Sequence, residues 1–127
     1  MPGPPTPPPS PPPPPLPRVQ ARFTVEVNLR PVQKDIKVPI IVKVFRNFET
    51  EPFLAAQQIY SDGWELPVQA RWPESGTIMI DPLDIFTAQA NAPHFEQGSA
   101  TMTWLPGNEE MAGLMQCQIT LYKRPMP

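Results

Sequence analysis

Phe23-Thr24-Val25-Glu26-Val27-Asn28-Leu29-Arg30 alternates apolar and polar side chains without a break, and Pro31 stops it. A period of two places Phe23, Val25, Val27 and Leu29 on one face of a β-strand. The same pattern returns near the C-terminus. There Met115, Cys117, Ile119 and Leu121 alternate with Gln116, Gln118, Thr120 and Tyr122, which predicts a half-buried closing strand. Both ends of the folded region therefore predict strand.

Between them, Ile36 to Phe45 (IKVPIIVKVF) carries Ile36, Val38, Ile40, Val42 and Val44 on one parity, and Ile41, Lys43 and Phe45 on the other. β-Branched residues suit a pleated, half-buried surface. Pro39 removes a ladder donor, which predicts an edge strand or a bulge. Thr50 to Tyr60 fits a strand or a short helix opened by Thr50 and Pro52. Trp64, Leu66, Val68, Ala70 and Trp72 alternate again, and Thr77 to Ile80 predicts a short strand. Asp81-Pro82-Leu83-Asp84 has the form of a helix start, with an Asp cap and proline at the first position. It predicts about two turns reaching Ala90, with Leu83, Phe86 and Ala90 packed inward. Ser99 to Leu105 predicts one strand with Ala100, Met102 and Trp104 inward, and Pro106-Gly107-Asn108 a turn.

Six to eight strands separated by turn signals, with no internal repeat, predict a single all-β domain. The expected architecture is an antiparallel β-sandwich, jelly-roll or immunoglobulin-like, over residues 18–127. That span is long enough for one core and not two.

Residues 1–17 differ in kind. Twelve of the seventeen are proline, and none is charged. Proline fixes φ near −65° and lacks an N–H, so the run favours a polyproline II rod with a solvated backbone. Such a rod is a spacer or a handle that another surface grips. Pro14-Pro15-Leu16-Pro17 resembles a ligand of one class of WW domain. Pro11 to Leu16, PPPPPL, resembles the stretches that profilin binds in actin regulators. An SH3 ligand of the form P-x-x-P-x-R is excluded by register, because Arg18 would need proline where Leu16 stands.

The remaining features argue against chemistry. His94 is the lone histidine and sits in a loop-like context, so a metal site or nucleophilic triad lacks its usual component. Cys117, the one cysteine, falls on an apolar parity and reads as an inert core thiol; an internal disulfide is impossible. Asp81 and Asp84 are explained by helix capping, and Glu109 and Glu110 by a solvated turn. The tryptophans Trp64, Trp72 and Trp104 lie at strand parity and read as core. No phosphate loop or paired-cysteine motif is present, so no catalytic residue, metal or cofactor is assigned. Ten Lys and Arg against twelve Asp and Glu leave a net charge of −2, which opposes a nucleic-acid partner. No apolar run is long enough for a membrane span, and the N-terminus lacks the form of a signal peptide. A soluble protein made in the cytosol is expected.

The expectation is thus a non-enzymatic structural protein. It would be present in many copies on a larger assembly, most simply as a capsid cement, decoration or protruding component of a virion assembled in the host cytoplasm. Its partner surface would comprise Pro11, Pro12, Pro13, Pro14, Pro15, Leu16, Pro17 and Arg18 of the arm, with Ile41 and Phe45 on the sandwich. The alternative is a cytoplasmic adaptor whose arm recruits WW domains or profilin.

Overall fold

The computed structural model of the chain describes residues 3–11, 18–32, 36–61 and 67–125. Trp64 and Leu66 of the fourth expected strand, and Pro12 to Pro17 of the arm, lie outside them. Among the described residues there are nine strands and no helix. In chain order they are β1 (Val19–Arg30), β2 (Val38–Arg46), β3 (Gln57–Ser61), β4 (Val68–Trp72), β5 (Ile78–Ile80), β6 (Phe86–Asn91), β7 (Gly98–Thr101), β8 (Thr103–Leu105) and β9 (Gly113–Tyr122).

Two sheets face each other as a β-sandwich. One runs β4-β1-β9-β8, with β5 also pairing β1; the other runs β3-β2-β6-β7. The inward set of β1 is buried as the alternation requires: Phe23, Val25 and Val27 are all but inaccessible. Val38, Ile40, Val42 and Val44 face them from the second sheet. Phe23, Phe53 and Phe86 meet as an aromatic trio, with Phe23 edge-on to Phe86 at 5.1 Å between ring centres. Edge-to-face contacts of this kind add about 0.5–1.5 kcal/mol beyond the area they bury.

Four sequence expectations need correction. First, the sandwich is not wholly antiparallel. β1 and β9 run parallel through ten paired residues, from Ala21 opposite Gly113 to Arg30 opposite Tyr122. Alternation reports which face a side chain takes but not the strand's direction, and the rest of the domain supplies the long crossover a parallel pair needs.

Second, Asp81 to Ala90 is not a helix. The Asp81 carboxylate accepts from the Leu83 N–H at 2.9 Å, and the Asp84 N–H donates to the Asp81 carbonyl at 3.0 Å. Asp81 thus closes a turn instead of opening a helix. Phe86, Ala88 and Ala90 then alternate as the buried face of β6, while Leu83 is 73% exposed.

Third, β2 is an interior strand of its sheet and is not bulged, although it has an open side at Pro39 itself. It pairs without a break with β3 on one side and β6 on the other. Pro39 is tolerated because pairing with β6 begins only at Ile41, which leaves β2 open on that side at the proline. Thr50 to Tyr60 resolves as an irregular segment followed by β3.

Fourth, Ser99 to Leu105 is two strands. The chain crosses from one sheet to the other at buried Met102, whose N–H donates to the Phe86 carbonyl at 2.8 Å.

Candidate functional site

The start of β1 defines one end of the sandwich. Val19 pairs with Ile80 and Ala21 with both Ile78 and Gly113, so β5 and the beginning of β9 meet there. Arg18, exposed and immediately before β1, lines a shallow depression of about 290 Å³ with Arg46, Asn47, Met79, Ile80, Asp81 and Asp84. The proline arm therefore joins the domain at this end. The described part of the arm, Gly3 to Pro11, is exposed at every residue.

Two loops at the arm end are stitched together. The Asn47 N–H donates to the Ile85 carbonyl at 2.7 Å, and the Ile85 N–H donates back to Asn47 Oδ1 at 2.8 Å. Asn47 Nδ2 donates to Asp84 Oδ1 at 2.9 Å. Asn47 and Phe48 are both left-handed, with φ of 51° and 59°, and the Glu49 N–H closes the turn on the Arg46 carbonyl at 3.0 Å. Asparagine adopts this conformation readily; a bulky residue such as phenylalanine does so at a cost of about 1–2 kcal/mol. Phe48 is nevertheless 74% exposed, so no burial of its ring offsets that cost within the chain.

Beside Phe48 on these loops and on β5 stand Leu83, Ile85 and Met79, and on the neighbouring 105–111 segment Leu105 and Met111. These six are among the ten large apolar side chains that are exposed in the described residues. Ile36, Tyr60 and Tyr122 are exposed towards the opposite end and Ile41 on a sheet face, so the arm end holds the larger share of these side chains.

The same end carries a groove of about 440 Å³ beneath Trp104. Gly113 makes it possible: a Cβ there would lie 1.9 Å from Trp104 Cη2, so the indole lies directly across the glycine backbone. Pro106, Met111 and Val19 line the groove, together with Gln20 and Asn108. The loop wall is held by Asn108, whose side-chain oxygen accepts from the N–H groups of Glu110 and Met111, each at 2.8 Å. The indole N–H of Trp72 donates to the Ala55 carbonyl at 2.7 Å, whereas that of Trp104 has no acceptor among the described residues.

The structure brings only some of the expected contact residues together. Pro11 is exposed at the end of the described arm segment, and Arg18 sits at the arm end. Ile41 (43% exposed) and half-buried Phe45 lie on the outer face of the β3-β2-β6-β7 sheet, away from any free strand edge. Strand parity gives no sign of Phe48, Ile85 and Met79 as exposed contacts, and Leu83, expected inward, is exposed with them. A signal existed: Phe48 follows Asn47, and Leu83 stands between Pro82 and Asp84, so both are large apolar residues inside turn sequences.

His94 is exposed, left-handed at φ 67°, and its carbonyl accepts from the Arg124 N–H. Cys117 packs against the core but is only half-buried, because β8 pairs β9 no further than Gln116. Desolvation pushes its thiol up to about 11. Trp72 is core, as expected, while Trp104 is partly accessible.

A further concavity, about 870 Å³, opens between β3 and β4 and is lined by Arg22, Gln57, Gln69, Arg71, Trp72 and Glu74 among others. It contains no histidine or cysteine, and Glu74 is its one carboxylate. Among the described residues, no three His, Cys, Asp or Glu side chains gather as a metal site. No helix among them is long and apolar enough to cross a membrane.

Comparison with known protein families, with curated proteins and with solved structures finds no match for this chain.

Proposed function

We propose that this is a non-enzymatic structural protein that seats on a larger protein assembly, in the manner of a small capsid cement or decoration component, jelly-roll or immunoglobulin-like in general plan. The arm end of the sandwich is the seat, and the proline arm reaches from it along a neighbouring subunit. The observation that carries this reading is the convergence of arm root and apolar surface: Arg18 leaves the domain beside the Asn47–Asp84–Ile85 clasp that displays Phe48, Leu83 and Ile85. A left-handed, exposed phenylalanine is a cost to the free domain that a partner pocket would offset. A proline rod loses little freedom when it docks, so arm and apolar end together give two linked contacts.

The test is incorporation into the native particle or complex. Deleting residues 1–17 should abolish or sharply weaken incorporation while thermal melting stays within a few degrees of the parent. Phe48→Gly relieves the left-handed strain and removes the ring. It should leave stability unchanged or slightly raised and reduce incorporation about tenfold. Normal incorporation by the truncated chain would defeat the proposal. Tight, sequence-dependent binding of a residue 1–17 peptide to a WW domain or to profilin would favour the adaptor reading instead.

A further inference from the structure

We propose that the groove beneath Trp104 is the receptor for the proline arm of a neighbouring copy of this chain, so that copies link head to tail; the inference rests on the assembly reading and names one of its contacts.

The chemistry of arm and groove is complementary. A polyproline segment has rings to pack and carbonyls to be bonded, but no N–H to donate. It is recognised by an aromatic plane that also carries a hydrogen-bond donor, set in an apolar cleft. Trp104 supplies both parts, since its partly accessible indole is braced on Gly113 and its N–H has no acceptor among the described residues. Pro106, Met111 and Val19 form the apolar walls, and Gln20 adds a second amide donor. Asn108, Glu109 and Glu110 also line the groove, and the two carboxylates do not oppose an arm that has no charge.

The arm's own position argues for a second copy. Gly3 to Pro11 is exposed along its whole length, so the groove of its own chain does not hold it. Val19 and Gln20, where the arm joins the domain, are themselves part of the groove wall. To enter it, the arm would have to reverse within a few residues, and the sequence from Thr6 to Pro17 has no glycine on which to turn. Extended as a proline rod, the ten or so residues from Arg18 back to Pro8 reach on the order of 30 Å, enough to meet an adjacent molecule. One arm and one groove per copy make a heterologous contact, which closes into a ring or continues as an array.

The test follows the indole resonances of the full-length chain while a synthetic peptide of residues 1–17 is added. Saturable movement of the Trp104 N–H is expected, with the Trp72 N–H, already bonded to Ala55, unmoved. Sedimentation of the full chain should show concentration-dependent association. It should be lost on removing residues 1–11 and weakened about tenfold by Trp104→Phe, which keeps a ring but lacks the donor. If Trp104→Phe fails to fold, the exposed pair Pro106→Ser and Met111→Ser should weaken association instead. A Trp104 resonance indifferent to the peptide at millimolar concentration overturns the inference. So does a chain that stays monomeric while its own arm shifts Trp104 at every dilution. Loss of incorporation on arm deletion with Trp104 indifferent would leave the assembly reading standing and sink this one; peptide binding at Trp104 with normal incorporation of the truncated chain would do the reverse.

Discussion

Asn47 and Asp84, 37 residues apart, are joined by a 2.9 Å hydrogen bond from the amide to the carboxylate, and the same asparagine exchanges two further bonds with Ile85. One side chain in a conformation that asparagine tolerates thus ties the loop after β2 to the loop before β6. Asn47→Ala removes both side-chain bonds and forces a Cβ without polar compensation into the left-handed region. The expected cost is about 1–2 kcal/mol, visible as a lower urea midpoint with an unchanged slope. An unchanged midpoint would mean that the two loops hold their places without the clasp.

The open edges of a sandwich invite association, and Gln57 guards one of them. Its amide donates to the Arg71 carbonyl, and its oxygen accepts from the Arg71 N–H at 3.2 Å, so a side chain on β3 occupies the backbone groups that β4 leaves unpaired. Gln57→Glu keeps the acceptor but turns a carboxylate toward a carbonyl. It should destabilise more than Gln57→Ala, for which about 1 kcal/mol is expected. Light scattering on prolonged incubation should rise for both variants, because a bared strand edge templates pairing with another chain. Parent-like stability of Gln57→Glu would show that the amide donor contributes nothing.

Much of this fold was legible in the chain, and the exceptions have physical causes. The alternation in Phe23 to Leu29 and Met115 to Leu121 marked the two longest strands and their buried faces. It was silent on their mutual direction, since parallel and antiparallel strands bury the same parity. Asp81-Pro82-Leu83-Asp84 misled because an Asp followed by proline serves a turn as well as a helix start, and Ala88 and Ala90 carry little β preference of their own. The break at Met102 left no local mark, because a chain that changes sheets can keep its alternation. At the site, the arm was evident from composition alone. The apolar loop tips were not, because strand parity says nothing about side chains in turns.

Cys117 provides a test by titration. Desolvation raises its thiol from 9.0 to about 11, so the folded state favours the neutral form. The associated stabilisation is fully present below the ordinary thiol value and declines as pH climbs from about 9 through about 11. At pH 8 the folded protein should hold about a hundredfold less thiolate than an ordinary cysteine, and alkylation should be slowed to match. Cys117→Val should flatten the loss of stability between pH 9 and 11. Alkylation of the native protein at the rate of a free thiol would show that the half-buried position does not shield the sulfur.

Gly113 is the position where a single methyl group tests the Trp104 arrangement. A Cβ added there would lie 1.9 Å from Trp104 Cη2 and 2.5 Å from Cζ2 and Cζ3, all on a rigid ring. The backbone at Gly113 is paired with Ala21 of β1 and cannot retreat without disturbing the parallel ladder, so the indole must move. Gly113→Ala should therefore cost about 1–3 kcal/mol through overpacking, against the gain an alanine would bring to an unhindered strand position. Trp104→Ala in the same background should restore part of that loss, because it removes the atoms the new methyl group meets. A double-mutant cycle over the two positions is expected to give a coupling energy of about 1 kcal/mol or more. Additive effects would place the indole elsewhere and remove it from the lining of the groove.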